Sequence, residues 1–258
     1  MAWAALIGVA IAAAPPASWT ATQTHFDPSG NEVMRSRWDY AGHHVRIEGQ
    51  GRAMVIDLKS GAFTVMMHDA RRWARVSLDE LIQMRDRMKA DLTERMKELP
   101  PAMRSQLQAQ LEAQVEAARK PLAPRATGVR EEIDGLSCEV FRWSRPEGDG
   151  SACIATEVGV DVSGFRSDIV ALNEKLTALS AGGAADSMVV LQLGDRGFPL
   201  RTRQTIQLGA STQEIESRFS NIAASKLTAA DFAPPDAYRR VPLEELMAAS
   251  VAPEASVR

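Results

Sequence analysis

Charge of one sign is missing from this sequence: 30 basic and 33 acidic residues are well mixed, for a formal net charge of -3. With no basic block and no basic stripe interleaved with aromatics, nucleic-acid binding is not expected. Histidine is scarce too. There are four, His25, His43, His44 and His68. The adjacent His43 and His44 fall on an expected strand and so point to opposite faces, which keeps them from chelating one metal. The two cysteines, Cys138 and Cys153, have neither CxxC spacing nor a histidine cluster beside them, so no metal centre is expected. No GxSxG, HExxH or phosphate-binding loop occurs. The carboxylate pairs Glu131-Glu132 and Glu244-Glu245 read as solvated charge rather than acid-base machinery. These absences predict a protein without catalysis or a cofactor. No later stretch reaches the roughly 18 apolar residues of a helical span, so the mature chain should carry no transmembrane segment.

What is present is a globular composition, 258 residues of which 45% are hydrophobic, enough to build a sizeable core. Ala2 to Ala14 carries no charge and is followed by Pro15, Pro16, Ala17 and Ser18. That is the length of a secretory hydrophobic region, and it predicts a signal peptide over 1–17, cleaved after Ala17. A buried N-terminal helix is the alternative, which the Pro-Pro stop disfavours. No basic residue precedes the apolar run, which a start codon further upstream would explain. No cysteine stands at the leader junction, so a lipid anchor is not expected. Export implies a periplasmic location.

After the leader the pattern alternates with a period of two. Trp19–Phe26, Val33–Tyr40, His44–Glu48, Ala53–Leu58, Phe63–Met67 and Trp73–Val76 read as short strands punctuated by Gly, Asp, Ser and Asn. Links this short imply an antiparallel meander. The period then becomes helical. Leu81, Met84, Met88, Leu92, Met96 and Leu99 recur every three or four residues, with Ser77 and Glu80 placed as a capping box. Pro100-Pro101 breaks that helix, and Met103, Leu107, Leu111 and Val115 mark a second one, so an αα-hairpin is expected over 77–120. Strand pattern returns at Gly128–Ile133, Leu136–Ser144 and Ser151–Glu157, and a further helix spans Phe165–Leu179 with Ser163 as its N-cap and Gly182-Gly183 as its stop. Met188–Leu193, Leu200–Leu208 and Glu214–Ile222 close the β pattern, followed by an extended segment from Asp231 to Tyr238. The domain is expected over 18–246, with a flexible tail over 247–258.

This inventory predicts an α+β fold: a curved antiparallel β half-barrel whose helices, the αα-hairpin included, cover its concave face. Cys138 and Cys153 lie in two strands joined by 145–150, a linker dense in turn formers. A hairpin there sets the sulfurs nearly opposite, and in an oxidising compartment a disulfide is expected, stabilising by about 3 kcal/mol. Two buried thiols are the alternative.

Several local patterns carry a family resemblance: Val55-Ile56-Asp57-Leu58, the strand around Trp73 leading into Ser77-Leu78-Asp79, and Leu99-Pro100-Pro101-Ala102-Met103. Others are Ile133-Asp134-Gly135-Leu136-Ser137-Cys138-Glu139-Val140, Gly197-Phe198-Pro199-Leu200, and Asp231-Phe232 with Pro235-Asp236-Ala237-Tyr238. In these the chain resembles the LolA-like half-barrel proteins of the bacterial envelope, and most of all an uncharacterised periplasmic group classed as a domain of unknown function. The resemblance implies a half-barrel with a helical lid, used by better-understood relatives to hold the acyl chains of lipids or lipoproteins. It implies no catalytic residues. Cys153 stands outside the family pattern.

The methionines sharpen this expectation. Leu81, Met84, Met88, Leu92, Met96 and Met103 form a ligand-binding lid in one reading, because flexible thioethers suit variable apolar partners. In the other reading the stripe is permanent core. Arg71-Arg72 and Arg201 with Arg203 could meet anionic headgroups at a cavity rim, or simply solvate strand faces. The functional expectation is a periplasmic binder of an apolar ligand, a lipid or lipidated protein. The alternative is an envelope protein-protein interaction or stress-sensing module without a ligand.

Overall fold

A computed structural model describes residues 18–119, 124–145, 148–179, 193, 196–208 and 211–251 of the chain. The expected leader over 1–17, the Gly182-Gly183 stop and the strand expected from Met188, up to residue 192, lie outside them.

The first half is a meander of six strands: β1 (Trp19–Phe26), β2 (Glu32–Ala41), β3 (His44–Gly49), β4 (Arg52–Asp57), β5 (Ala62–Met67) and β6 (Arg72–Val76). Its tight links have a local cause. Between β2 and β3 the two linking residues, Gly42 and His43, both take positive φ, 52° and 71°. That is what a two-residue type I′ turn demands, and its twist matches that of the flanking strands. Asp134 and Gly135, with φ of 51° and 77°, repeat the device between β7 (Arg125–Ile133) and β8 (Leu136–Arg145). Strands β9 (Gly148–Ala155), β10 (Phe198–Leu208) and β11 (Ser211–Ala224) complete a second meander.

The two meanders meet at β1 and β11, giving one sheet in the order β12-β6-β5-β4-β3-β2-β1-β11-β10-β9-β8-β7. The sheet is curved and unclosed, and among the described residues every pairing is antiparallel except that of β12 (Arg239–Arg240), which runs parallel to β6. This order explains the helical hairpin topologically. Consecutive β6 and β7 lie far apart in that order, β6 beside the edge strand β12 and β7 at the other edge, and the chain between them carries α1 (Leu78–Lys97) and α2 (Pro101–Arg119).

The main core gathers on one face of the sheet. Trp19, Tyr40, Val45, Val140, Cys153 and Phe198 from six strands pack with Phe165, Ile169 and Leu172 of α3 (Ser163–Leu179). Trp19 stacks on Tyr40 and meets Phe165 and Phe198 edge-on, with centroids 5.1 to 5.6 Å apart. The helix begins two residues earlier than expected, with Ser163 inside it rather than capping it: the Asp161 carboxylate accepts from the Ser163 N–H at 2.9 Å. From just outside the first turn this aspartate satisfies one of the turn's free N–H groups, as a capping serine would.

Apolar residues also cover the other face, which a one-sided reading of the alternation misses. Ala53, Val55 and Met66 are buried there under Phe232, while Met54 and Ile56 pack toward the main core. Phe141, Trp143, Ala152 and Ile154 form a further cluster with Leu193. A strand buried on both sides reads as a continuous apolar run, as in Ala53-Met54-Val55-Ile56. The cover comes from the C-terminal region. The expected extended segment is a 3-10 turn at Ala229–Phe232, then β12, and then α4 (Leu243–Val251), which buries Leu246 against Ala74. That helix runs past Leu246, so residues 247–251 are helical where a tail is expected.

Candidate functional site

The helical hairpin is built from local signals that satisfy its own ends. At the start of α1 the Ser77 hydroxyl accepts from the Glu80 N–H, and the Glu80 carboxylate takes the Ser77 N–H at 2.7 Å. At its end, Arg104 of α2 reaches back across the Pro100-Pro101 corner. Its guanidinium donates to the carbonyls of Met96, Lys97 and Leu99 at 2.7 to 3.1 Å. The Met96 carbonyl also takes the Leu99 N–H at 3.2 Å, and Arg104 adds to these last-turn carbonyls, closing α1 and tying the two helices together. No helical periodicity marks Arg104 for this role.

Between these anchors lies the apolar stripe. Residue α1 positions Leu81, Met84 and Met96 are half-buried, whereas Met88 is 67% exposed, Leu92 41% and Met103 of α2 56%. No residue of α1 is buried. The stripe is therefore not core, and neither α1 nor these residues of α2 contribute to the packed face that α3 fills. Met84 lines an open cavity of about 450 Å³ at the hairpin's base, together with Val76, Val241, Leu243 and the arginines Arg75 and Arg240. The rest of the α1 surface is charge-balanced. Arg85 pairs with Asp86, Arg95 with Asp91 and Lys97 with Glu94, at 2.6 to 2.9 Å.

The arginines singled out from the sequence mostly have partners. Arg201 holds Glu131 at 2.7 Å over the disulfide strands, Arg203 pairs with Glu216, and Arg72 pairs with Glu245 at 3.2 Å. Glu216 is shared with Arg218. Burial works against its charged form, but the hydrogen bonds from Arg203 and Arg218 prevail and hold its pKa below the ordinary glutamate value. Cys138 and Cys153 are joined in a disulfide, both buried, with Cα atoms 5.3 Å apart. Nothing in the sequence pattern pointed to a third cluster, which joins Tyr40, His43 and Asp168. Among the described residues no three His, Cys, Asp or Glu side chains gather as a metal-holding group. No helix in them is long and apolar enough to cross a membrane.

These features define an α+β protein with a curved, mostly antiparallel sheet, one disulfide, and an exposed helical hairpin. A family model described as Domain of unknown function (DUF4412) matches residues 102–238, more than half of the chain, and the chain belongs to that family. No curated protein matches it. Two solved structures of PNGF-II, in the C2 and P21 space groups, are similar to it at 7% and 8% identity, with TM-scores of 0.41 and 0.42. Each comparison covers 90% of this chain and 32% of the other, so the chain spans about a third of those proteins' length.

Proposed function

We propose that this chain is an exported, non-catalytic interaction module of the bacterial envelope that docks an apolar surface of another protein on its helical hairpin. In this reading the fold is a LolA-like half-barrel in which α3 covers the concave face and the α1–α2 hairpin is free to bind. The observation that carries it is the exposure of Met88, Leu92 and Met103 on a helix pair whose first member buries no residue. Exposed apolar patches of this kind mark interaction surfaces, and methionine adapts to irregular partners. The charge pattern favours a protein over a membrane. Helices that lie on lipid carry excess Lys and Arg on their polar face, whereas the ion pairs of α1 balance each other.

A second reading, carriage of an acyl chain or lipidated protein, is favoured by the cavity at the hairpin's base, where Met84, Val76, Val241 and Leu243 offer apolar walls. Native mass spectrometry of gently purified periplasmic protein, with organic extraction, separates the two. A stoichiometric lipid mass that disappears in Met84→Asp sinks the interaction reading. A lipid-free mass, with a photocrosslinker at position 88 trapping one discrete protein and Leu92→Asp abolishing the adduct, supports it.

A further inference from the structure

A wide cavity lies on the sheet near the ends of β7 to β11 where Arg125, Arg145, Gly148, Leu208 and Ser211 stand. It has a volume of about 790 Å³ and is open to solvent. Its lining follows from strand register. Arg125 of β7 stands opposite Arg142 of β8, Arg142 opposite Ser151 of β9, and Ser151 opposite Arg203 of β10. Residues directly opposite in antiparallel strands share a face, so this row of side chains projects together into the basin. Thr127, Ser144 and Thr205 add hydroxyls to its walls, and Trp143 lines it too.

The charges in that row are unevenly matched. Arg203 is held by Glu216, and Glu214 lies on the same side, where its charge favours protonated Arg203. Asp149 takes the Ser144 hydroxyl. Arg125 and Arg142 face each other without a carboxylate partner among the described residues. Like charges set directly opposite on neighbouring strands destabilise a sheet. An anion between them converts that repulsion into two charge-assisted contacts.

We propose that this basin is a binding site for a phosphate-type oxyanion, gripped between the guanidinium groups of Arg125 and Arg142 with the Ser151 hydroxyl beside them. A carboxylate offers two oxygens, enough for one guanidinium fork. Two opposed forks and a hydroxyl call for a tetrahedral anion, whose oxygens point in diverging directions rather than in one plane. The chemistry is shared by inorganic phosphate and by the phosphodiester headgroup of an anionic lipid. The site stands independently of the role given to the hairpin.

The test is thermal melting and titration calorimetry of the full mature chain with inorganic phosphate, against chloride at matched ionic strength. Phosphate should raise the melting temperature of the wild type. Arg125→Gln with Arg142→Gln should weaken phosphate binding at least tenfold, as expected when charge-assisted contacts are lost. Arg52→Gln, an exposed charge on β4, should leave it intact. Without phosphate the double variant should melt no lower than the wild type, because it is relieved of the opposed charges. A phosphate response that is absent, or undiminished in the double variant, overturns the proposal. So does a double variant that is destabilised in phosphate-free buffer, which makes the pair structural. Sedimentation with phosphatidylglycerol vesicles but not phosphatidylcholine vesicles, lost in the double variant, assigns the site to a lipid headgroup. A response to inorganic phosphate without vesicle binding assigns it to a soluble phosphate compound.

Discussion

The phenol of Tyr40 in β2 donates to Oδ2 of Asp168 in α3 at 3.0 Å, joining residues 128 positions apart. His43 places Nδ1 2.8 Å from the same oxygen, which it can do because the Gly42-His43 turn carries it out beyond β2 toward the helix. Asp168 thus pins α3, which packs into the main core, to the tip of the β2–β3 hairpin. Burial first, and the Asp168 charge second, push the Tyr40 phenol well above its ordinary pKa, so it stays a donor throughout the physiological range.

Removing this carboxylate should therefore loosen α3. Asp168→Ala leaves the buried phenol without its acceptor and should cost about 2 kcal/mol, whereas Tyr40→Phe, which leaves His43 on the carboxylate, should cost about 1 kcal/mol. Urea denaturation of the two variants checks the order. Equal losses would show that the helix is held by packing alone.

The disulfide closes a separation of 15 residues between β8 and β9. Replacing both cysteines by alanine should cost about 3 kcal/mol, from the restored freedom of the unfolded chain. Both sulfurs are buried beneath the Arg201–Glu131 pair, so thiol reagents should reach them only on unfolding. Rapid labelling under native, reducing conditions would contradict that protection.

Substitutions on the hairpin and in the core should differ in cost. Met88→Asp and Leu92→Asp sit on exposed positions and should change stability by no more than about 0.5 kcal/mol. Leu172→Ala, in the fully buried face of α3, should cost roughly 3 kcal/mol. Chemical denaturation with circular dichroism distinguishes the two groups.

Acid should weaken the β10–β11 pairing through Glu216. Its pKa is lowered in the folded chain, so the stability it contributes is present above the unfolded value of about 4.3 and is lost as pH falls through the folded value. Glu216→Gln should be the less stable protein at about pH 6, and the gap to wild type should narrow toward about pH 3. The other lowered carboxylates are common to both proteins and cancel in the comparison. A gap that is constant with pH would exclude the ionised form as the source of the effect.

Much of the fold was legible in the residues because its signals are local. The six strands of the first meander, the Ser77–Glu80 capping box and the Pro100-Pro101 corner each rest on neighbours within a few positions. So does the cysteine hairpin, where turn formers set two strands side by side. Ser163 lies inside the helix rather than at its cap because serine and aspartate two places apart compete for the same backbone donors, and the bond from Arg166 N–H to the Val162 carbonyl decides where the helix begins.

The apolar stripe from Leu81 to Met103 shows the limit of that legibility. Periodicity establishes that one face of a helix is apolar, and it did so correctly here. It says nothing about what lies against that face, and core and exposed surface give the same spacing. The sequence by itself determined which segments are strands and helices, because φ preferences, caps and turn chemistry act between near neighbours. Tertiary structure alone decided that β1 joins β11, that α3 rather than the hairpin fills the core, and that Arg125, Arg142 and Arg203 share one basin. Those outcomes depend on which strands pair and in which register, and pairing is fixed by the burial of residues that lie far apart along the chain.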